Sequence, residues 1–134
     1  MITTFNITPI GKPRMTQSDR WKKRPATSRY WEYKDRLNIQ ANLLGFKVPE
    51  CLEILFVIPM PATWSAKKKA SLNGRPHRQT PDIDNLEKAL LDALCEQDNY
   101  IYYISAMKIW GYVGKIHIET TGLECRLDKF DSVL

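Results

Sequence analysis

Between residues 51 and 58 the chain reads Cys-Leu-Glu-Ile-Leu-Phe-Val-Ile, nearly all apolar, and Pro59 and Pro61 close the run. A short apolar run bounded by prolines predicts a central strand buried on both faces. Residues 2–8 favour β-branched types and predict a first strand that stops at Pro9, with Gly11 and Pro13 beyond it. Residues 101–110 and 113–120 predict two more strands, with Gly111 close to a hairpin turn between them. In the second of these, Ile116 and Ile118 turn inward while Lys115, His117 and Glu119 turn out, so one face is wet.

Helical spacing marks two longer stretches. Leu37, Ala41 and Leu44 share a stripe over 30–44, with Gly45 as the stop, and Leu86, Leu90, Ala93 and Leu94 share another over 85–95. Trp64 to Ala70 predicts a short basic helix closed by Asn73-Gly74, and the segment Lys12 to Arg29 reads as an irregular basic loop. The order β, α, β, α, α, β, β predicts an α/β (α+β) fold: one domain over 1–122, with a mixed sheet of about four strands packed with helices. A short tail, 123–134, has no period and is expected to fray.

Composition narrows the classes. The 134 residues suit one domain, and no apolar run is long enough to span a bilayer. The first residues lack the basic and apolar regions of a secretory signal, so a cytoplasmic protein, in a bacterial-type cytosol, or a nucleoplasmic one is expected. Cys51, Cys95 and Cys125 are odd in number and never in a C-x-x-C arrangement, so three reduced thiols are expected rather than disulfides or a zinc site. Charge is uneven: residues 1–80 carry 15 Lys and Arg against 5 Asp and Glu, and residues 81–134 carry 5 against 10. A basic half attracts a polyanion, whereas clustered carboxylates repel phosphate unless a cation lies between them. By itself this leaves a nucleic-acid surface and an ordinary solvated one both open.

Asp82 and Asp84 are the candidate chemistry. In an extended stretch, residues two apart point to one face about 7 Å apart, where they can share a hard cation such as Mg²⁺, which takes oxygen ligands and keeps waters. Lys88 follows Asp84 by one helical turn and could balance charge on a phosphate, while the metal polarises the phosphoryl oxygen and lowers the pKa of a bound water. A plainer reading stands beside this one. Asp84 with Glu87 fits a capping box contributing about 0.5–2 kcal/mol, Asp82 a turn, and Lys88 with Asp92 a surface ion pair. Arg14, Arg20, Lys22, Lys23, Arg24, Lys67, Lys68, Lys69, Arg75 and Arg78 are the candidate DNA contacts. His77 reads as a solvated loop residue and His117 as an outward strand residue. Trp21, Trp31, Trp64 and Trp110 could each stack on unpaired bases, with core or interface packing the better reading for the last two.

The stretch Pro81-Asp82-Ile83-Asp84-Asn85-Leu86-Glu87-Lys88, continued by Asp92-Ala93-Leu94, resembles the D-x-D-N-x-x-K signature of the RusA family of Holliday-junction resolvases, particularly its phage and prophage members. The resemblance extends to Pro59-Met60-Pro61, Trp64-Ser65, Gly74-Arg75-Pro76-His77 and Lys108-Ile109-Trp110-Gly111, and covers most of residues 1–120. It implies Mg²⁺-dependent cleavage of four-way DNA junctions by a homodimer, with Mn²⁺ as a substitute ion. It also implies roles: Asp82 and Asp84 as paired catalytic acids, Lys88 as the essential lysine, and Asp98 as the third metal-binding acid. Asp98 keeps the family's spacing to the lysine on the next strand, here Lys108. Family members commonly carry two adjacent acids and a glutamine where this chain reads Gln97-Asp98-Asn99-Tyr100. Asp92 matches a family position as a support for Lys88. The competing classes are a non-catalytic basic DNA-binding protein and a nuclease of flaps or single strands.

Overall fold

The computed structural model describes residues 1–13, 25–120 and 128–133. Four strands, β1 (Ile2–Phe5), β2 (Cys51–Pro59), β3 (Tyr103–Gly111) and β4 (Lys115–Thr120), form one mixed sheet in the order β1-β4-β2-β3. Three helices, α1 (Pro25–Leu44), α2 (Ala66–Leu72) and α3 (Ile83–Leu94), complete the α+β domain. No described helix is long and apolar enough to cross a membrane.

The apolar β2 is central. It pairs in parallel with β3 over nine residues and antiparallel with β4, so both of its edges are bonded. The expected hairpin between β3 and β4 is therefore absent, because β2 lies between them. Residues 112–114 step across the end of β2 instead. Two strand spacings amount to about 10 Å, within reach of four Cα–Cα steps. Gly114 is needed in that step because a Cβ there would lie 2.6 Å from the Thr8 Cα.

One face of the sheet carries the core. Leu52, Ile54, Phe56 and Ile58 of β2, Ile116 and Ile118 of β4, Phe5 of β1 and Trp110 of β3 are buried on it. α1 covers this core with Tyr30, Tyr33, Leu37 and Ala41, and α3 with Leu86, Ala89, Leu90 and Ala93, both at helical spacing. Leu44, expected on the α1 stripe, is instead exposed at the last turn, ahead of Gly45, whose φ of 64° ends the helix. The other face is open and mixed, bearing Leu55, Met107, Glu53, His117 and Glu119 around a shallow groove.

Several boundaries differ from the hydrophobic pattern. α1 begins at Pro25, five residues before the periodic stretch, because proline suits the first helical turn and polar residues extend a helix without joining its stripe. β1 ends at Phe5 rather than residue 8. α3 begins at Ile83, two residues earlier than expected. In the segment expected to fray, Asp128–Val133 form a 3-10 helix, whose bonds span three residues and need no apolar stripe.

Leu90 is fully buried and Leu43 is 82% exposed. In urea unfolding, Leu90→Ala should cost about 2–5 kcal/mol and Leu43→Ala less than about 0.5 kcal/mol.

Candidate active site at the head of helix α3

The chain enters α3 through a strap laid along β3. Gly74 N–H donates to Trp110 O at 2.8 Å, Trp110 N–H to Arg75 O at 2.9 Å, and His77 N–H to Lys108 O at 3.1 Å, with a bridge between Pro76 and Ile109. The strap thus pairs with the last part of an edge strand whose backbone groups would otherwise need water. Beyond it, the Lys108 ammonium donates to the carbonyl oxygens of Gln79 at 2.5 Å and Pro81 at 2.8 Å. On the other side, Gly11 packs so closely that a Cβ there would lie 2.4 Å from Asn85 Nδ2.

This framing presents two carboxylates to solvent. Asp82 is the N-cap residue of α3, with extended backbone (φ −67°, ψ 150°), and its side chain makes no capping hydrogen bond. Asp84 lies in the first helical turn. The stretch is therefore not a strand-like run with both acids on one face, and Asp84 is not the cap. Both side chains are exposed, and among the described residues neither forms an ion pair. The free N–H groups at a helix head favour negative charge, which lets the two acids sit together. Glu87 stands one turn on, half-buried, and its carboxyl is pushed above the usual range by burial and then by the negative charge of Asp84.

Lys88 is exposed one turn beyond Asp84, on the same side of the helix, and among the described residues it forms no ion pair. Asp92, read from the sequence as its support, pairs instead with Lys12. Lys12 comes from the loop after β1, and sequence spacing along α3 carries no trace of it.

Asp98 is elsewhere. The twelve residues of α3 span about 18 Å, and Asp98 follows the far end, where its charge acts on Cys95 and Tyr100. Tyr100 is tied by its hydroxyl to Val48 O, three residues before β2, whereas Pro81 is tied to Lys108, in the second half of β3. One chain does not bring Asp98 to Asp82 and Asp84. Among the described residues, no group of three or more His, Cys, Asp or Glu side chains is gathered as a metal site. Two exposed carboxylates still suit Mg²⁺, which keeps several waters and is commonly bound through one or two protein acids plus substrate phosphate.

Of the candidate DNA contacts, Lys67, Lys68, Arg75 and Arg78 are exposed and Lys69 is half-buried, all on α2 and the strap leading to Asp82. Arg14, Arg20, Lys22, Lys23 and Arg24, with Trp21, lie outside the described residues. His77 is not solvated. It is 4% exposed, its ring lies tilted against Trp110 with centroids 4.2 Å apart, and burial followed by the Lys108 charge holds its pKa below the ordinary value. Trp110 in turn packs on Trp64 at 4.8 Å, and Lys68 covers the Trp64 ring. Trp31 is 47% exposed, edge-on to Tyr30 and with the Lys34 ammonium over its ring.

The family model for Endodeoxyribonuclease RusA matches residues 6–121 of the 134. No individually curated protein matches the sequence.

A missing capping bond has a measurable consequence. In urea unfolding of metal-free protein, Asp82→Ala should cost less than about 0.5 kcal/mol, against the ~1 kcal/mol typical of a lost cap. A loss of 1 kcal/mol or more would place the carboxylate on the helix backbone rather than free for an ion.

Proposed function

The chain belongs to the RusA endodeoxyribonuclease family and is a nuclease, and we propose that it resolves four-way DNA junctions by Mg²⁺-dependent paired nicks, acting as a homodimer. The supporting observation is the state of Asp82 and Asp84: two exposed carboxylates at a helix head, used neither for capping nor, among the described residues, for ion pairing. Exposed acids that neither cap the helix nor pair with a described cation are available to a metal ion.

In this reading Asp82 and Asp84 hold the ion. When bound, such an ion would supply Lewis-acid polarisation of a phosphate oxygen and a water of lowered pKa. The rest falls to the chain. The head of α3 supplies free N–H groups and a positive dipole end toward the phosphate. Lys88, one turn on, offsets negative charge that builds on the phosphoryl oxygens. The basic residues of α2 and the strap, Lys67, Lys68, Lys69, Arg75 and Arg78, hold the DNA backbone beside the acids. Each junction must be cut at two symmetric points, which two protomers about a two-fold axis supply. Since α3 separates Asp98 from the other acids within one chain, Asp98 can contribute to the same ion only from a second protomer.

The test is cleavage of a labelled four-way junction with and without Mg²⁺. Asp82→Asn and Asp84→Asn should each lower the single-turnover rate by at least about 100-fold, a loss of roughly 2.7 kcal/mol in transition-state stabilisation. Junction binding in a gel-shift assay should be kept or tightened, because each change removes a negative charge near phosphate. Full cleavage by both variants would remove the metal assignment. Binding by wild-type protein without nicking would favour a non-catalytic DNA-binding protein, and faster cutting of flaps or single strands would favour a nuclease of those substrates.

The lysine run has its own readout. Replacing Lys67, Lys68 and Lys69 together with Ala should weaken binding to all DNA shapes and reduce the slope of log K against log salt by up to about 2.7, or 0.9 per lost phosphate contact. An unchanged slope would leave the run as solvated surface.

A further inference from the structure

Lys108 is out of place by every local rule. On β3 it shares a face with Ile104, Ala106 and Trp110, directly across from Phe56, and this is the face that the helices cover. An apolar residue would continue that core. Its ammonium also lies at the head of α3, where the positive end of the helix dipole disfavours a cation. Neither burial nor dipole explains a lysine here.

Its hydrogen bonds do. Two of the three ammonium donors are directed at the carbonyl oxygens of Gln79 and Pro81, three residues and one residue before Asp82. The strap bonded to β3 ends at His77, and from there the chain turns through residues 78–81 before α3 begins. The direction in which Asp82 leaves that turn, and so the placement of Asp82 and Asp84 relative to each other, depends on what holds residues 79–81.

We propose that Lys108 is a positioning residue that clamps the Gln79 and Pro81 carbonyl groups from β3 and thereby aims Asp82 and Asp84 at a shared ion. The clamp ties the acids to the most extensively paired part of the sheet rather than to a free turn. This deepens the functional reading above and rests on it for the identity of the ion-holding acids.

Lys108→Met removes the donors, Lys108→Gln keeps a neutral one, and Lys108→Arg keeps charge and several donors. Two measurements on the full chain decide the matter. The first is amide hydrogen exchange of metal-free protein. Peptides spanning 77–84 should exchange at least about tenfold faster in the Met and Gln variants, with α1 and β2 unchanged and the Arg variant close to wild type. The second is a Mn²⁺ titration of four-way-junction cleavage. The half-saturating Mn²⁺ concentration should rise by about 10–100-fold and kcat should fall, while KM for the junction stays within about twofold and Arg restores part of the loss.

Unchanged exchange over 77–84 overturns the clamp regardless of activity. Faster exchange with an unchanged Mn²⁺ midpoint overturns the aiming of the acids. If Lys108→Met does not fold, the Gln variant carries both readouts. Absence of metal-dependent nicking by the wild type would defeat the functional reading and with it the aiming of an ion site; the exchange data would still decide whether the clamp exists.

Discussion

An apolar strand that must be bonded along both edges governs this structure. β2 buries Leu52, Ile54, Phe56 and Ile58 on one face, and its backbone groups need partners on either side. β3 takes one edge in parallel and β4 the other antiparallel. A parallel partner cannot follow by a tight turn, so the chain between β2 and β3 must travel back the length of the sheet. It does so through α2, the strap and α3. α3 therefore runs opposite to β3 and begins at the carboxyl end of the two parallel strands. The head of α3, and with it Asp82 and Asp84, is placed by the pairing needs of β2.

Electrostatics sets what can happen at that head. Two exposed aspartates and the half-buried Glu87 gather within a turn and a half of helix, and burial together with Asp84 raises the Glu87 carboxyl. The helix dipole offsets part of this crowding. The nearby cations divide by role: Lys12 is engaged with Asp92, Lys108 with two carbonyl groups, and Lys88 is exposed beside the acids. Contacts from Lys68 through Trp64 and Trp110 to His77 link the basic α2 to the strap that leads into α3.

The sequence by itself determined the order and type of the elements and the family to which the chain belongs. Among the described residues, apolar or β-branched runs located the four strands and helical stripes located α1 and α3, because burial imposes its period wherever one face is covered; α2, which buries no residue, was read from its basic run and the Asn73-Gly74 stop, and the D-x-D-N-x-x-K stretch marked Asp82, Asp84 and Lys88 as candidates. Tertiary structure decided what depends on contacts between distant segments. A period of two describes a strand but not its neighbour, so the insertion of β2 between β3 and β4 was invisible and a hairpin was expected in its place. Spacing along α3 paired Asp92 with Lys88, while folding supplied Lys12 from 80 residues away. His77 looked like a loop residue until Trp110 covered it. Lys108 alone left a trace, as a cation on the apolar face of a strand, but only the fold showed which carbonyl groups it holds. Asp98, linked to the acids by motif spacing, follows the opposite end of α3, because a rigid helix of twelve residues, whose ends lie about 18 Å apart, stands between the two segments.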